Sequence, residues 1–157
     1  AEKVTAEVKK VSKKPVMIKL TPNVTDITEI ARAAEAGGAD AISLINTLLG
    51  MRIDLKKRRA VLARKVGGFS GPAVKPVALR MVWQTANAVN IPVLGMGGIS
   101  TGTDAAEFLA AGACAVSIGT AALSDPSAPV RIKAELLEFM RENGFENISE
   151  LKRAFDI

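Results

Sequence analysis

The chain has no histidine and no tyrosine, one cysteine and one tryptophan among its 157 residues. Without histidine, Ser-His nucleophilic catalysis and histidine metal sites are excluded. The single cysteine, Cys114, allows no disulfide framework and no cysteine zinc set, which fits a reducing cytosol. Its small apolar neighbours predict a core position. No apolar run approaches the roughly 18–20 residues that span a bilayer, and no stretch reads as a signal peptide. The expectation is a cytoplasmic protein with no membrane partner. Aromatic residues make up 4% of the chain and the formal charge is +5. That leaves too few stacking platforms for a nucleic-acid binder. It is charge enough for a local basic spot under a small anion.

What is present describes one domain with a real core: 48% hydrophobic and 24% charged residues. Short apolar runs at Val16–Leu20, Ala41–Ile45, Ile91–Leu94 and Ala115–Ile118 predict strands. Being continuous rather than alternating, they predict parallel strands covered on both faces. Helical segments follow each: one capped by Thr25 or Asp26 and stopped at Gly37-Gly38, one opened by Pro76 and running to about Val89, and one capped by Thr101 or Thr103 and ended by Gly112. A long helix opens at Ser124 or Asp125 and ends near Asn143-Gly144, and Ser149-Glu150 can cap a last short one. Residues 46–75 are long for a loop and should carry structure of their own. The α/β class follows, as four βα units: half of an eight-unit barrel, or a small open sheet.

Val4, Val8 and Val11 fall at helical spacing among lysines and glutamates, so Ala1 to about Lys13 predicts an amphipathic helix. It has no capping residue and no initiator Met before it, which leads us to expect a chain that starts mid-protein.

The richest signal is a pair of glycine turns, each after an apolar run: Gly95-Met96-Gly97-Gly98-Ile99, and Ile118-Gly119-Thr120. A strand ending in glycine can bring bare backbone N–H groups against an anion, and two side by side form a phosphate cradle. The other strand ends read Lys19-Leu20-Thr21-Pro22-Asn23 and Ile45-Asn46-Thr47, and Gly67-Gly68-Phe69-Ser70-Gly71-Pro72 lies between, followed by Lys75-Pro76. In this order the motifs closely resemble the C-terminal half of class 1 dihydroorotate dehydrogenases, nearest to the type 1B catalytic subunit. The resemblance implies the (β/α)8 TIM-barrel family, here a C-terminal half-barrel of about four βα units. Residues 1–157 would be strands five to eight, a single unit and a fragment of the whole.

That resemblance implies FMN-dependent oxidation of dihydroorotate to orotate in pyrimidine (UMP) biosynthesis. Lys19 would face the N1/O2 edge of the flavin as a fixed cation, and Ile45 would touch it by backbone or apolar contact. Gly71 would approach the ribityl-phosphate side. Gly97, Gly98, Gly119 and Thr120 would bind the phosphate through N–H groups, aided by the following helix dipole. Asn46 and Thr47 would hold the substrate, the asparagine amide supplying both donor and acceptor to an imide edge. No catalytic residue is expected in this chain: the family's cysteine base would precede Ala1, and Cys114 does not stand in for it. The type 1B likeness further implies a homodimer of catalytic subunits with an iron–sulfur flavoprotein subunit carrying FAD and a [2Fe–2S] cluster, and NAD as acceptor where type 1A uses fumarate. The half-barrel would pair with its missing N-terminal half or with a second copy.

From the residues alone, several readings stay open. Lys19 can snorkel to solvent, Asn46 can form a turn, and the glycines can serve tight βα turns. Lys56-Lys57-Arg58-Arg59, with Arg64 and Lys65, suits a solvated protruding hairpin, or a segment over the site or near a partner subunit. Two rivals remain: a non-catalytic flavin- or phosphate-binding half-barrel, and another phosphate-binding barrel enzyme, such as one acting on a sugar phosphate.

Overall fold

The structure, a computed structural model, describes residues 1–155. Its centre is a four-stranded sheet of β1 (Met17–Leu20), β2 (Ala41–Leu44), β7 (Val93–Met96) and β8 (Ala115–Ser117), in the order β1-β2-β7-β8. All three pairings are parallel. The helices that return between them are α2 (Ile27–Ala36), α3 (Lys75–Ala86) and α4 (Gly102–Ala110). Strand order rises steadily across the sheet. With right-handed crossovers, a steady order puts every returning helix on the same face. That is the arrangement of a barrel wall, and it decides against a doubly wound open sheet, whose order reverses.

Helix boundaries follow local chemistry. Asp26 caps α2, its carboxylate accepting from the Thr28 N–H at 2.8 Å. Thr101 caps α4 in a reciprocal box with Asp104. Pro72 opens a 3₁₀ turn over Pro72–Val74 that leads into α3. The predicted long helix forms as α6 (Ala128–Glu142), starting after Asp125-Pro126 and so a few residues late, and an unpredicted short helix, α5 (Thr120–Ser124), follows β8 directly. The final helix, α7 (Ile148–Arg153), is capped by Asn147 rather than by Ser149. No helix among the described residues is long and apolar enough to cross a membrane.

The core lies between the sheet and α2, α3 and α4. Ile42, Leu44, Ala31, Ala78, Val82 and Phe108 are wholly shielded from solvent. Shielding on both faces is nearly complete in β2 only; β7 alternates buried and half-buried positions. Edge strand β1 alternates exposed and buried positions, and β8 is half-buried throughout. Cys114, expected in the core, is exposed. Its N–H bonds to the Val93 carbonyl at 2.8 Å at the start of β8, and β8 has no neighbour on its far side among the described residues.

β7 also lies two residues later than predicted. Ile91-Pro92 leads in, and the strand continues through Gly95-Met96. Gly95 therefore belongs to the strand and not to the turn. A Cβ there would fall 2.6 Å from the Phe108 ring, so its glycine admits the helix onto the sheet.

Residues 46–75 do carry structure. β3 (Leu48–Met51) pairs antiparallel with β6 (Val66–Phe69), and beyond them β4 (Ile53–Asp54) pairs with β5 (Arg59–Ala60). The basic stretch occupies the outer end of this protrusion. At the N-terminus, α1 (Glu2–Val11) forms as expected but turns its other face inward. Val4, Val8 and Val11 are exposed, and Thr5 is buried. The reason is close packing against Gly37, where a Cβ would lie 2.5 Å from the Glu2 carbonyl and 2.7 Å from the Thr5 Cβ. A 2.6 Å ion pair between Lys9 and Asp40 holds the same face.

Candidate functional site

The register brings the four strand ends to one edge of the sheet. Leu20 stands beside Leu44, Leu44 beside Gly95, and Met96 beside Ser117. The residues that end or leave these strands line a single cavity of about 730 Å³, with Lys19, Ile45, Asn46, Thr47, Gly71, Gly97, Gly98, Gly119 and Thr120 all in its wall. The nine residues named as flavin or substrate contacts therefore meet in one place. The volume falls within the range of about 300–1,000 Å³ typical of small-molecule sites.

Lys19 points from an exposed position on β1, and among the described residues its ammonium makes no ion pair or hydrogen bond. The same holds for the Asn46 amide. Ile45, in contrast, is buried; its peptide bond with Leu44 is cis, and its N–H donates to the Met96 carbonyl at 2.9 Å. Thr47 packs over Gly68, where a Cβ would fall 2.5 Å from its hydroxyl oxygen. Gly71 has φ of 99° and Gly98 has φ of 81°, in the left-handed region that glycine reaches without strain. A Cβ on Gly98 would also fall 2.8 Å from the Lys75 nitrogen and 2.9 Å from the Gly71 carbonyl, so this glycine brings its turn against the start of α3.

Gly119 is different. Its φ is −109°, and a Cβ placed on it meets no protein atom within 4 Å. Crowding does not explain a glycine there and its φ is not left-handed, though its ψ of −90° lies outside the helix and strand ranges; it borders the cavity. A side chain at 119 would extend into open space that a ligand could occupy. The helix after it is only five residues long, so it adds little of the dipole expected from the sequence.

Several interactions in and beside the site were not foreseen from the sequence. Asn23 clamps the segment after β2: its Nδ2 donates to the Thr47 carbonyl and its Oδ1 accepts from the Leu49 N–H, both at 3.0 Å. Its proximity to Thr21-Pro22 was visible, its reach across 24 residues was not. Thr120 donates to the Ser70 hydroxyl at 2.9 Å, tying the last turn to the end of the protrusion. Arg131, from α6, also borders the cavity; it pairs with Glu135 at 2.6 Å and lies 3.6 Å from Asp125. Asp125 accepts from the hydroxyl and N–H of Ser127, and these bonds with Arg131 nearby hold its carboxyl below the usual range. Behind the Gly97-Gly98 turn, burial alone would raise the Asp104 carboxyl. Hydrogen bonds from Lys75, Ser100 and Thr101 outweigh it and hold the group well below the usual carboxylate range.

A parallel βα wall with its candidate residues gathered at the carboxyl ends of the strands places the chain in the barrel class. Comparison with known proteins makes this particular. The family model described as Dihydroorotate dehydrogenase matches residues 1–140. The chain is 57% identical over 151 residues to the dihydroorotate dehydrogenase B (NAD(+)) catalytic subunit of Alkaliphilus metalliredigens, covering 96% of this chain and 50% of that protein. It is 57% identical over 157 residues to the subunit of the same name from Geobacter metallireducens, covering 100% of this chain and 52% of that one. Among solved structures, the dihydroorotate dehydrogenase of Eimeria tenella, crystallised with ferulenol, aligns with a TM-score of 0.73 at 28% identity over 90% of this chain and 38% of its own. The chain belongs to the dihydroorotate dehydrogenase family. It spans about half the length of the curated relatives it matches. Membership sets aside the sugar-phosphate enzyme.

Proposed function

We propose that this chain is the C-terminal half of a B-type dihydroorotate dehydrogenase catalytic subunit and carries most of its flavin site and part of its substrate site. Residues 1–157 would supply strands five to eight of the barrel; positions 156 and 157 lie outside the described residues. One observation carries the reading: an unpaired ammonium at Lys19, an unpaired amide at Asn46 and two glycine turns converge on one cavity at the strand ends.

The family is flavin-dependent, and FMN suits this wall. The Gly97-Gly98 and Gly119-Thr120 turns would take its phosphate, with Gly71 beside the ribityl chain. Ile45 would contact the ring, and Lys19 would offset negative charge on its N1/O2 edge. FMN, when bound, supplies the hydride acceptor for oxidation of dihydroorotate to orotate. Asn46 and Thr47 would orient that substrate, with Asn23 fixing the segment that holds them.

The ionisable side chains bordering the cavity, among the described residues, are Lys19, Asp125 and Arg131. Asp125 is committed to Ser127 and Arg131, which makes it a poor proton acceptor. The base is therefore proposed to come from the half of the subunit outside these residues, and this chain alone is expected to be inactive. The names of the relatives support NAD rather than fumarate as acceptor. They also support a partner subunit, here proposed to be the iron–sulfur flavoprotein with FAD and a [2Fe–2S] cluster, acting on a homodimer of catalytic subunits in the cytoplasm.

The test uses the full-length protein. It should purify yellow, release FMN on denaturation, and lose its flavin absorbance when dihydroorotate is added without oxygen. Asn46→Ala should weaken orotate about tenfold, the scale of one hydrogen bond to a polar ligand edge, with FMN retained. Lys19→Ala should slow flavin reduction. A colourless protein, or a flavin that dihydroorotate leaves oxidised, would overturn the reading.

A further inference from the structure

Asp104 spends one carboxylate oxygen on the turn that ends β7 and the other on Lys75. Oδ2 accepts from the Ser100 N–H, the Ser100 hydroxyl and the Thr101 N–H, each at 2.9 Å. Oδ1 accepts from the Lys75 ammonium at 2.7 Å. Lys75 comes from the first turn of α3, 29 residues earlier in the chain. Its ammonium also meets Glu107 at 3.0 Å, and its backbone nitrogen is the atom closest to a Cβ built on Gly98. Lys75 thus touches the turn twice: directly at Gly98, and through Asp104 at Ser100 and Thr101. Yet neither Lys75 nor Asp104 borders the cavity.

We propose that Lys75 and Asp104 are positioning residues, a brace that holds the Gly97–Ser100 turn in the conformation that receives the phosphate of the flavin. The proposal rests on the flavin reading above. The physical need is clear. Gly97 and Gly98 both have positive φ, 127° and 81°, and a pair of glycines loses more freedom on ordering than any other pair. Unbraced, that freedom would be lost when ligand binds and would weaken binding; braced, it is lost on folding. The ammonium is positioned to do this without acting as a phosphate ligand. Both carboxylates that face it, Asp104 and Glu107, lie on α4, so the pair ties the start of α3 to the start of α4 with the turn between them. Such second-layer support sets the geometry of the groups that do touch ligand.

A brace that only stabilised the fold would weaken all flavins alike, whereas this one acts at the phosphate. The experiment is titration of the flavin-stripped full-length protein with FMN and with riboflavin, which lacks the phosphate. Lys75→Met should weaken FMN about tenfold and riboflavin by less than about twofold, the cost of misplacing one set of charge-directed hydrogen bonds. Asp104→Asn should give the same pattern, and the double variant should cost no more than the larger single one. Lys75→Gln, which keeps a polar end, serves if the Met variant does not fold, and Lys75→Arg should recover most of the FMN preference. In the FMN-loaded protein, the ³¹P resonance of the bound phosphate should move in Lys75→Gln. Equal weakening of both flavins, or an unmoved ³¹P resonance, overturns the brace while leaving the flavin site standing. A wild-type protein that binds neither flavin overturns the function reading, and the brace with it.

Discussion

Glycines in a candidate site serve different masters, and Gly119 is the one proposed to serve the ligand. Gly98 could not accept a side chain in any case, because Lys75 and Gly71 stand within 2.9 Å of where its Cβ would be. A Gly98 variant would therefore displace α3 and report on folding as much as on binding. Gly119→Val adds its side chain to open space, so the melting temperature should stay within a few degrees of wild type. Flavin content of the full-length protein should fall to a small fraction; full occupancy would show that the phosphate lies elsewhere. Asp104 makes a second prediction. Its carboxyl is held below its ordinary value in the folded protein, so the folded state binds fewer protons and gains stability as pH rises. The gain is complete above the unfolded value of about 3.9 and fades as pH falls further. The advantage in melting temperature of wild type over Asp104→Asn should be constant above about pH 5 and shrink progressively below about pH 4. Lys75, raised first by its hydrogen bond to Asp104 and opposed by burial, loses its share only in strongly alkaline solution.

At the level of elements, the meeting of α4 with the sheet depends on one large-small pair. Phe108 is wholly buried, and Gly95 opposite it leaves room for the ring. Phe108→Ala should cost about 3–5 kcal/mol in urea unfolding and lower flavin content only through loss of folded protein. A cost near 1 kcal/mol would mean that the helix closes over the gap. This pair also shows what the sequence could and could not disclose. Four apolar runs, and the α2 and α4 caps to within one of two candidates each (Thr25 or Asp26, Thr101 or Thr103), were legible because they depend on neighbours within a turn or two. The nine candidate site residues were named through the resemblance; eight of them lie at or just after the end of a parallel strand, which brings such ends together, while Gly71 follows antiparallel β6. Gly95 was misassigned to a turn because nothing local reveals Phe108 above it. The inward face of α1 was misread for the same reason: Thr5 is buried by a contact with Gly37, which hydropathy does not register. Asn23 and Lys75 act across 24 and 29 residues, and only the fold brings them to their partners.

The whole molecule is a barrel wall with two unpaired margins. Among the described residues β1 pairs only with β2, and β8 only with β7, so each presents a row of backbone donors and acceptors on its outer side. Margins of this kind recruit other chains unless they are covered. Lys19 is the one charged residue on β1, and β8, Ala115-Val116-Ser117, has none, so neither strand carries much to discourage pairing. In the proposed full subunit these margins would meet strands from the other half of the same polypeptide. Expressed alone, the 157-residue chain should instead bind its own copies or, when both are supplied, the other half. Sedimentation velocity at micromolar concentration should show dimers or larger species, and adding the other half as a separate chain should convert them to a one-to-one complex. The gain of dihydroorotate-driven flavin reduction in that complex, absent from either half alone, would place the missing base in the added half. A chain that sediments as a clean monomer and ignores the other half would mean that the margins are protected as they stand.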